Sequence, residues 1–483
     1  MPDAALSQRS RRFRANPGER RGLSSKYTPT VRPIAVIAVL LAAAAALAAP
    51  PSAEVLRRDV QRALKLQTAG EQASALAKAF EGQDSADAAG VAIDQLFPRD
   101  VPQMALEATM LAVARMQAPL VVPALRKAAD SGPLLRRVRA IEALGRSSAE
   151  GSGGALLPLI ADTDASIRAA TLTALSTKGE TVAEHVEAAL TDPAWTVRSA
   201  AISTLGRLGL RRSVLLLCET MRTNDARLVD DCVLALRNIT GQRFGAQPER
   251  YEAWWAAEAK KELPGAQTWK APPWSFESPV IATRSRRILF VLCTSDTMKD
   301  PVTGAAADDN AAAVVRAAGA DLEADLKAAK TKLDVARVHL RTMLRTLRDG
   351  VLFDVMVYSG SPTFAFGKLT PADGASRRRA EGRIASLSPG GPGNLHGAVV
   401  RTFDPHGKDP YADPDGPDTV VLFSDGALME PGSEDPTEVA ASARRWNAVR
   451  QIRFLVVGTG QSDPTVLTRL ASGPPEGVST SVP

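Results

Sequence analysis

The chain has 483 residues, 45% of them hydrophobic, and a formal charge of +6 from 59 Lys/Arg and 53 Asp/Glu. Residues 1–53 hold eight of the basic residues and two of the acidic ones, which leaves 51 of each sign beyond them. No global basic field is therefore left to attract a nucleic-acid backbone, and three cysteines are too few for a disulfide scaffold.

Residues 1–53 read as a signal peptide. A basic stretch precedes the 16-residue apolar run Ile34 to Ala49, and small-residue cleavage patterns lie at its end, Ala46-Leu47-Ala48, and just beyond it, Pro51-Ser52-Ala53. A spanning helix needs about 20 apolar residues, so the reading is export to the periplasm or cell surface. Membrane attachment is expected only through an uncleaved leader. Residues 54–100 read as an N-terminal helical cap.

A repeat then emerges. "RRVRAIEALG" (136–145), "ASIRAATLTALS" (165–176), "WTVRSAAISTLG" (195–206) and "RLVDDCVLALRN" (227–238) align on Leu144, Leu175, Leu205 and Leu236, at intervals of 31, 30 and 31 residues. Stepping back once more lands on Val113, so about five units are legible, enough for stacked repeats to be stable. Each unit has room for two helices, the second with apolar residues at i and i+3 and small residues between them, which suits close approach of neighbouring helices. Aspartates at 162, 164 and 192 precede the second helices and suit capping. The pattern Asp162…Ile167-Arg168…Leu175 and Asp192…Val197-Arg198…Leu205 resembles HEAT-like repeats, over 101–245. That resemblance implies an α-solenoid; Arg168 and Arg198 then read as inter-repeat ion pairs or caps. Cys218 and Cys232 stand level if a turn centres near 223–225, so a disulfide is one reading; buried free thiols are the favoured one, because helix axes 8–10 Å apart rarely bring Cα atoms within disulfide range.

Residues 246–285 read as an aromatic cap and linker, with Tyr251, Trp254 and Trp255 on one helical face closing the array. From Arg286 the pattern alternates. "RILFVLC" (287–293), "VLFDVMVYSG" (351–360), "DTVVLFSDG" (418–426) and "IRFLVVGTG" (452–460) read as strands, separated by helical stretches at 333–350, 394–403 and 436–451. That is a doubly wound, mostly parallel α/β sheet, taken as 286–475, with a loose tail at 476–483.

In such a sheet the functional loops gather at the carboxyl ends of the strands. They carry Ser295, Asp296 and Thr297 after the first strand, Asn394 after a glycine-rich loop, and Ser424 and Asp425 after the third strand. This arrangement resembles a von Willebrand factor type A (VWA) domain, which often carries a metal-ion-dependent adhesion site. The resemblance places the site's hydroxyls on Ser295 and Thr297 and its third-loop aspartate on Asp425. Its leading aspartate falls on Cys293, and its threonine on Pro392 or Gly393. A thiol is a soft ligand, mismatched to a hard cation, and it is mostly uncharged at neutral pH. Ser295, Thr297 and Asp425 thus read as a vestigial metal site without an ion, and no cofactor is expected; magnesium held there for adhesion-type ligand binding is the alternative. Ser295, Asp296, Thr297, Asn394 and Asp425 are read as a ligand-binding surface.

No Gly-x-Ser-x-Gly elbow or phosphate-binding loop occurs, and the four histidines show no ligand spacing. A hydrolase cluster of Ser295, His396 and Asp425 is the alternative from another class. The expectation is a non-catalytic, exported interaction protein, binding a protein partner through its helical repeats and its VWA-like domain.

Overall fold

The computed structural model describes residues 52–224, 226–258, 283–302, 309–407, 410–411, 415–426, 436–459, 464–471 and 478–482. The apolar leader run and the linker at 268–279 lie outside the described residues.

The first half is helical throughout. Helices α1 (Ala53–Ala63), α2 (Ala69–Ala79) and α3 (Ala86–Gln95) form the N-terminal part. Then come α4 (Gln103–Arg115), α5 (Val121–Asp130), α6 (Leu134–Arg146), α7 (Ser152–Leu156), α8 (Ala165–Leu175), α9 (Ala183–Ala188), α10 (Trp195–Leu208), α11 (Ser213–Thr223) and α12 (Ala226–Thr240). The second helices of the repeats stack side by side, α4 on α6, α6 on α8, α8 on α10 and α10 on α12; α2 extends the row by packing on α4. The small residues set the spacing. A Cβ on Gly145 would lie 2.8 Å from the Cβ of Ala174, and one on Gly206 would lie 2.9 Å from the Cα of Ala235.

The aspartates and arginines do local work. Asp164 caps α8 by accepting from the Ser166 amide at 2.8 Å. Asp192 accepts from the Ala194 amide and takes a two-pronged bond from Arg168 at 2.8 and 2.9 Å. Arg198 donates to the Asp192 carbonyl. Each arginine thus ties a turn to its own or the next repeat. Cys218 and Cys232 are buried free thiols, and burial raises both pKa values, that of Cys218 to about 11. Helix α13 (Pro248–Glu258) closes the array. Its Tyr251 is buried edge-on to Phe244, and the Arg211 guanidinium lies over Trp254 and Trp255.

The second half is α/β. In chain order it runs β1 (Arg287–Cys293), α14 (Asp309–Ala318), α15 (Ala320–Ala328), α16 (Lys332–Thr346), β2 (Leu352–Tyr358), β3 (Thr363–Phe364), β4 (Thr370–Pro371), α17 (Gly374–Ala385), α18 (Leu395–Phe403), β5 (Thr419–Ser424), α19 (Pro436–Arg450), β6 (Arg453–Thr459), α20 (Pro464–Ala471) and β7 (Val478–Val482). The sheet order is β3-β2-β1-β5-β6-β7, with β4 also on β2. Five strands are parallel; the two-residue β3 and β4 pair antiparallel to β2. β1, β2, β5 and β6 are almost wholly buried, as their continuous apolar runs require.

One expectation needs correction. The tail read as loose contributes β7, parallel to β6 from Leu455↔Val478 to Thr459↔Val482. The second-helix face of the repeat array packs against the α/β half. Helix α19 lies along α8 and touches α4 and α10. Its buried Arg445 donates to Glu142 at 2.8 and 3.1 Å, to Glu107 at 3.1 Å and to Gln103. Nearer the amino edge of the sheet, the buried Arg227 bonds Asp231 at 2.8 Å and the carbonyl of Asp418, while Asp230 takes Arg284 and Arg453. Val449 and Tyr411 join the repeats' core, and Trp446 packs against both cores.

Candidate functional site

In the order β2-β1-β5 the chain leaves β1 to one side and returns on the other, so a crevice opens beyond the carboxyl ends of β1 and β5. Cys293 ends β1 there and Asp425 follows β5. The loops are pinned by backbone bonds. The Thr294 amide donates to the Tyr358 carbonyl, Gly390 to Thr294, and Asp296 to Gly391. Gly391 has φ +86°, in the left-handed region that favours glycine.

The residues read as one surface separate into different roles. Ser295 is fully buried; its hydroxyl meets the Cys293 thiol at 3.2 Å and the Thr297 hydroxyl at 2.9 Å. Cys293 is buried, and that burial raises its pKa despite hydrogen bonding from Ser295. Asp296 turns outward to Lys299, whose hydrogen bond lowers its pKa. Asn394 is a helix cap, accepting from the Gly397 amide at 2.5 Å at the start of α18. Tyr358, deep in the crevice, donates to Ser424 at 3.1 Å.

Asp425 is buried, and its partner was not anticipated from the sequence. The Lys332 ammonium lies 3.1 Å from one Asp425 carboxylate oxygen and 3.0 Å from Asp300. Lys332 is the first residue of α16, held by a Thr331/Asp334 capping box. Its amide donates to the Asp300 carbonyl, and Val302 pairs back to Lys330, so the segment is zipped to the loop after β1. Burial disfavours the ammonium, but Asp300 and Asp425 outweigh that and hold its pKa above the ordinary lysine value. One signal for this was in the sequence. A cation at the positive end of a helix is unfavourable unless an anion receives it, so "TKLD" at 331–334 called for a nearby carboxylate.

This donor set does not fit a divalent cation. Magnesium needs a near-octahedral shell of oxygens. Here one carboxylate oxygen already faces an ammonium, the leading position is an un-ionised thiol, and the two hydroxyls are bonded to each other. Nor does the arrangement supply an activated nucleophile. A catalytic serine needs a hydrogen-bonded base, and the Ser295 hydroxyl bonds to a thiol and another hydroxyl.

The family model for the von Willebrand factor type A domain matches residues 320–473, and that for HEAT repeats matches residues 154–237. No curated protein matches the chain. A solved von Willebrand factor type A structure from Catenulispora acidiphila is 19% identical, covering 39% of this chain and 37% of its own, with a TM-score of 0.26. The conserved hypothetical protein BatB from Bacteroides thetaiotaomicron is 14% identical over 40% of this chain and 89% of its own, with a TM-score of 0.27. The RO (RSR) protein from Deinococcus radiodurans is 14% identical over 93% of this chain and 94% of its own, with a TM-score of 0.20. The chain thus carries HEAT repeats followed by a von Willebrand factor type A domain.

Proposed function

We propose that this is an exported, non-catalytic scaffold whose VWA domain recognises a protein partner without a metal ion. HEAT repeats and a VWA domain together support a protein-interaction or adhesion-type role. The observation that carries the finer reading is the Lys332 ammonium on Asp425. In the metal-dependent mode a divalent ion would bind a partner's carboxylate; a buried lysine already paired with two aspartates has no such open position. Recognition then falls to the exposed rim of the crevice, the short turn carrying Asp296, Lys299 and Asp300. The basic, then apolar, leader supports export.

Affinity capture with the whole chain, in magnesium and in excess chelator, tests this. The expected result is one partner retained equally in both buffers and lost from the Asp296→Lys/Asp300→Lys variant. Release of the partner by chelator alone would refute the metal-free reading.

A further inference from the structure

Where the repeats meet α19 the packing leaves a cleft of about 470 Å³. Three helices wall it with residues at helical spacing. Helix α6 gives Val138 and Ile141, α8 gives Ala170 and Ala174, and α19 gives Ala441 and Ala448. Spacings of three, four and seven put each pair on one helical face. Four of the six are alanines, and Gly145 lies among them, so the cleft exists because small residues face one another. Val138, Ile141 and Ala170 are buried and form its floor; Arg146, Thr177 and Arg444 are exposed and form its mouth.

Among the described residues, the polar lining sets Arg146, Arg207, Arg444 and Arg445 beside Glu107 and Glu142. Both glutamates are engaged, by Arg445 from α19 and by Arg146 from α6 at 2.6 and 2.8 Å. The Arg444 Nε donates to the Ala440 carbonyl of its own helix, and its terminal nitrogens make no hydrogen bond among the described residues. A cleft of a few hundred Å³ with an apolar floor and a few convergent polar groups is the usual form of a small-molecule site.

We propose that this cleft binds a small anionic amphiphile. A carboxylate or phosphate head is held at the mouth by Arg444, and a short hydrocarbon body lies on the Val138/Ile141/Ala170 floor. Its occupant touches α6, α8 and α19 together, so binding fastens the repeats to the VWA domain and raises the stability of the joined unit.

Calorimetric titration of the whole chain, with thermal unfolding alongside, tests this using hexanoate and hexyl phosphate as probes and hexylamine and hexanol as controls. The expected result is 1:1 binding of at least one anion with a rise in unfolding temperature, and no response to hexylamine. Tighter hexyl phosphate assigns a phosphate head, and tighter hexanoate a carboxylate. Arg444→Ala should weaken binding about tenfold, equivalent to about 1.4 kcal/mol. Ala441→Trp should abolish it by filling the cleft, and Ala448→Leu does the same with a smaller side chain if the first variant misfolds. No binding of either anion at millimolar concentration, equal binding of hexylamine, or undiminished binding by Arg444→Ala would overturn the proposal.

Discussion

Arg445→Ala probes the joint between the two halves most sharply. The Arg445 side chain is 2% exposed and bonds Glu142 twice, Glu107 and Gln103. Removing one partner of a buried pair costs about 3–5 kcal/mol, because the other charge stays in a low-dielectric site. Arg146 still reaches both glutamates and is 34% exposed, so it offsets part of that loss. The net expectation is the low end, about 3 kcal/mol. Urea unfolding at neutral pH should show a lower midpoint with an unchanged slope. A second substitution, Glu142→Gln, should restore part of the stability by removing the stranded charge. The pH dependence adds an independent check. Burial acts to raise the Glu142 pKa, but Arg445 more than reverses it, so the folded value lies below the ordinary 4.5. Folding therefore favours the ionised form. The contribution is complete above pH 4.5 and is lost as pH falls through the lowered value. Arg445→Ala should flatten that acid limb. A loss below about 1 kcal/mol, the worth of an exposed pair, or separate unfolding of the repeats and the α/β domain, would refute the reasoning.

Lys332→Met should destabilise by about 3 kcal/mol in urea unfolding, since it strands the buried Asp425 carboxylate. Gly206→Ala should cost about 1–3 kcal/mol through overpacking against Ala235, while Gly154→Ala, with nothing within 4 Å of its Cβ, should be neutral or slightly stabilising. The three thiols are buried with raised pKa values. Ellman's reagent should therefore leave all three unreacted in the native chain at pH 8 and titrate three after denaturation.

The parts of the fold legible in the sequence share a local cause. A 30- or 31-residue period records one helical hairpin after another, so Leu144, Leu175, Leu205 and Leu236 announce the stack before any contact is known. The four long strands declare themselves as apolar runs because both faces are covered. What stayed hidden is non-local or short. Helices α14 and α15 are rich in alanine and charge, and their Val315, Leu322 and Leu326 form a small separate core with Val338 of α16. The joint between the halves brings Arg445 to Glu142 across 303 residues of chain, and neither residue's neighbours predict it. At the crevice, the sequence located the loops and flagged Cys293 as out of place. It did not reveal that Ser295 is buried, that Asn394 caps a helix, or that Lys332 crosses from α16 to meet Asp425.

The central claim, a lysine where a metal ion would be needed, is tested most directly by calorimetric titration of the whole chain with magnesium and manganese. The parallel sample is the Cys293→Asp/Lys332→Ala variant, which restores the carboxylate and withdraws the ammonium. The account predicts no saturable binding to the unaltered chain at millimolar metal and measurable binding to the variant. Micromolar binding to the unaltered chain, lost in Asp425→Ala, would contradict it.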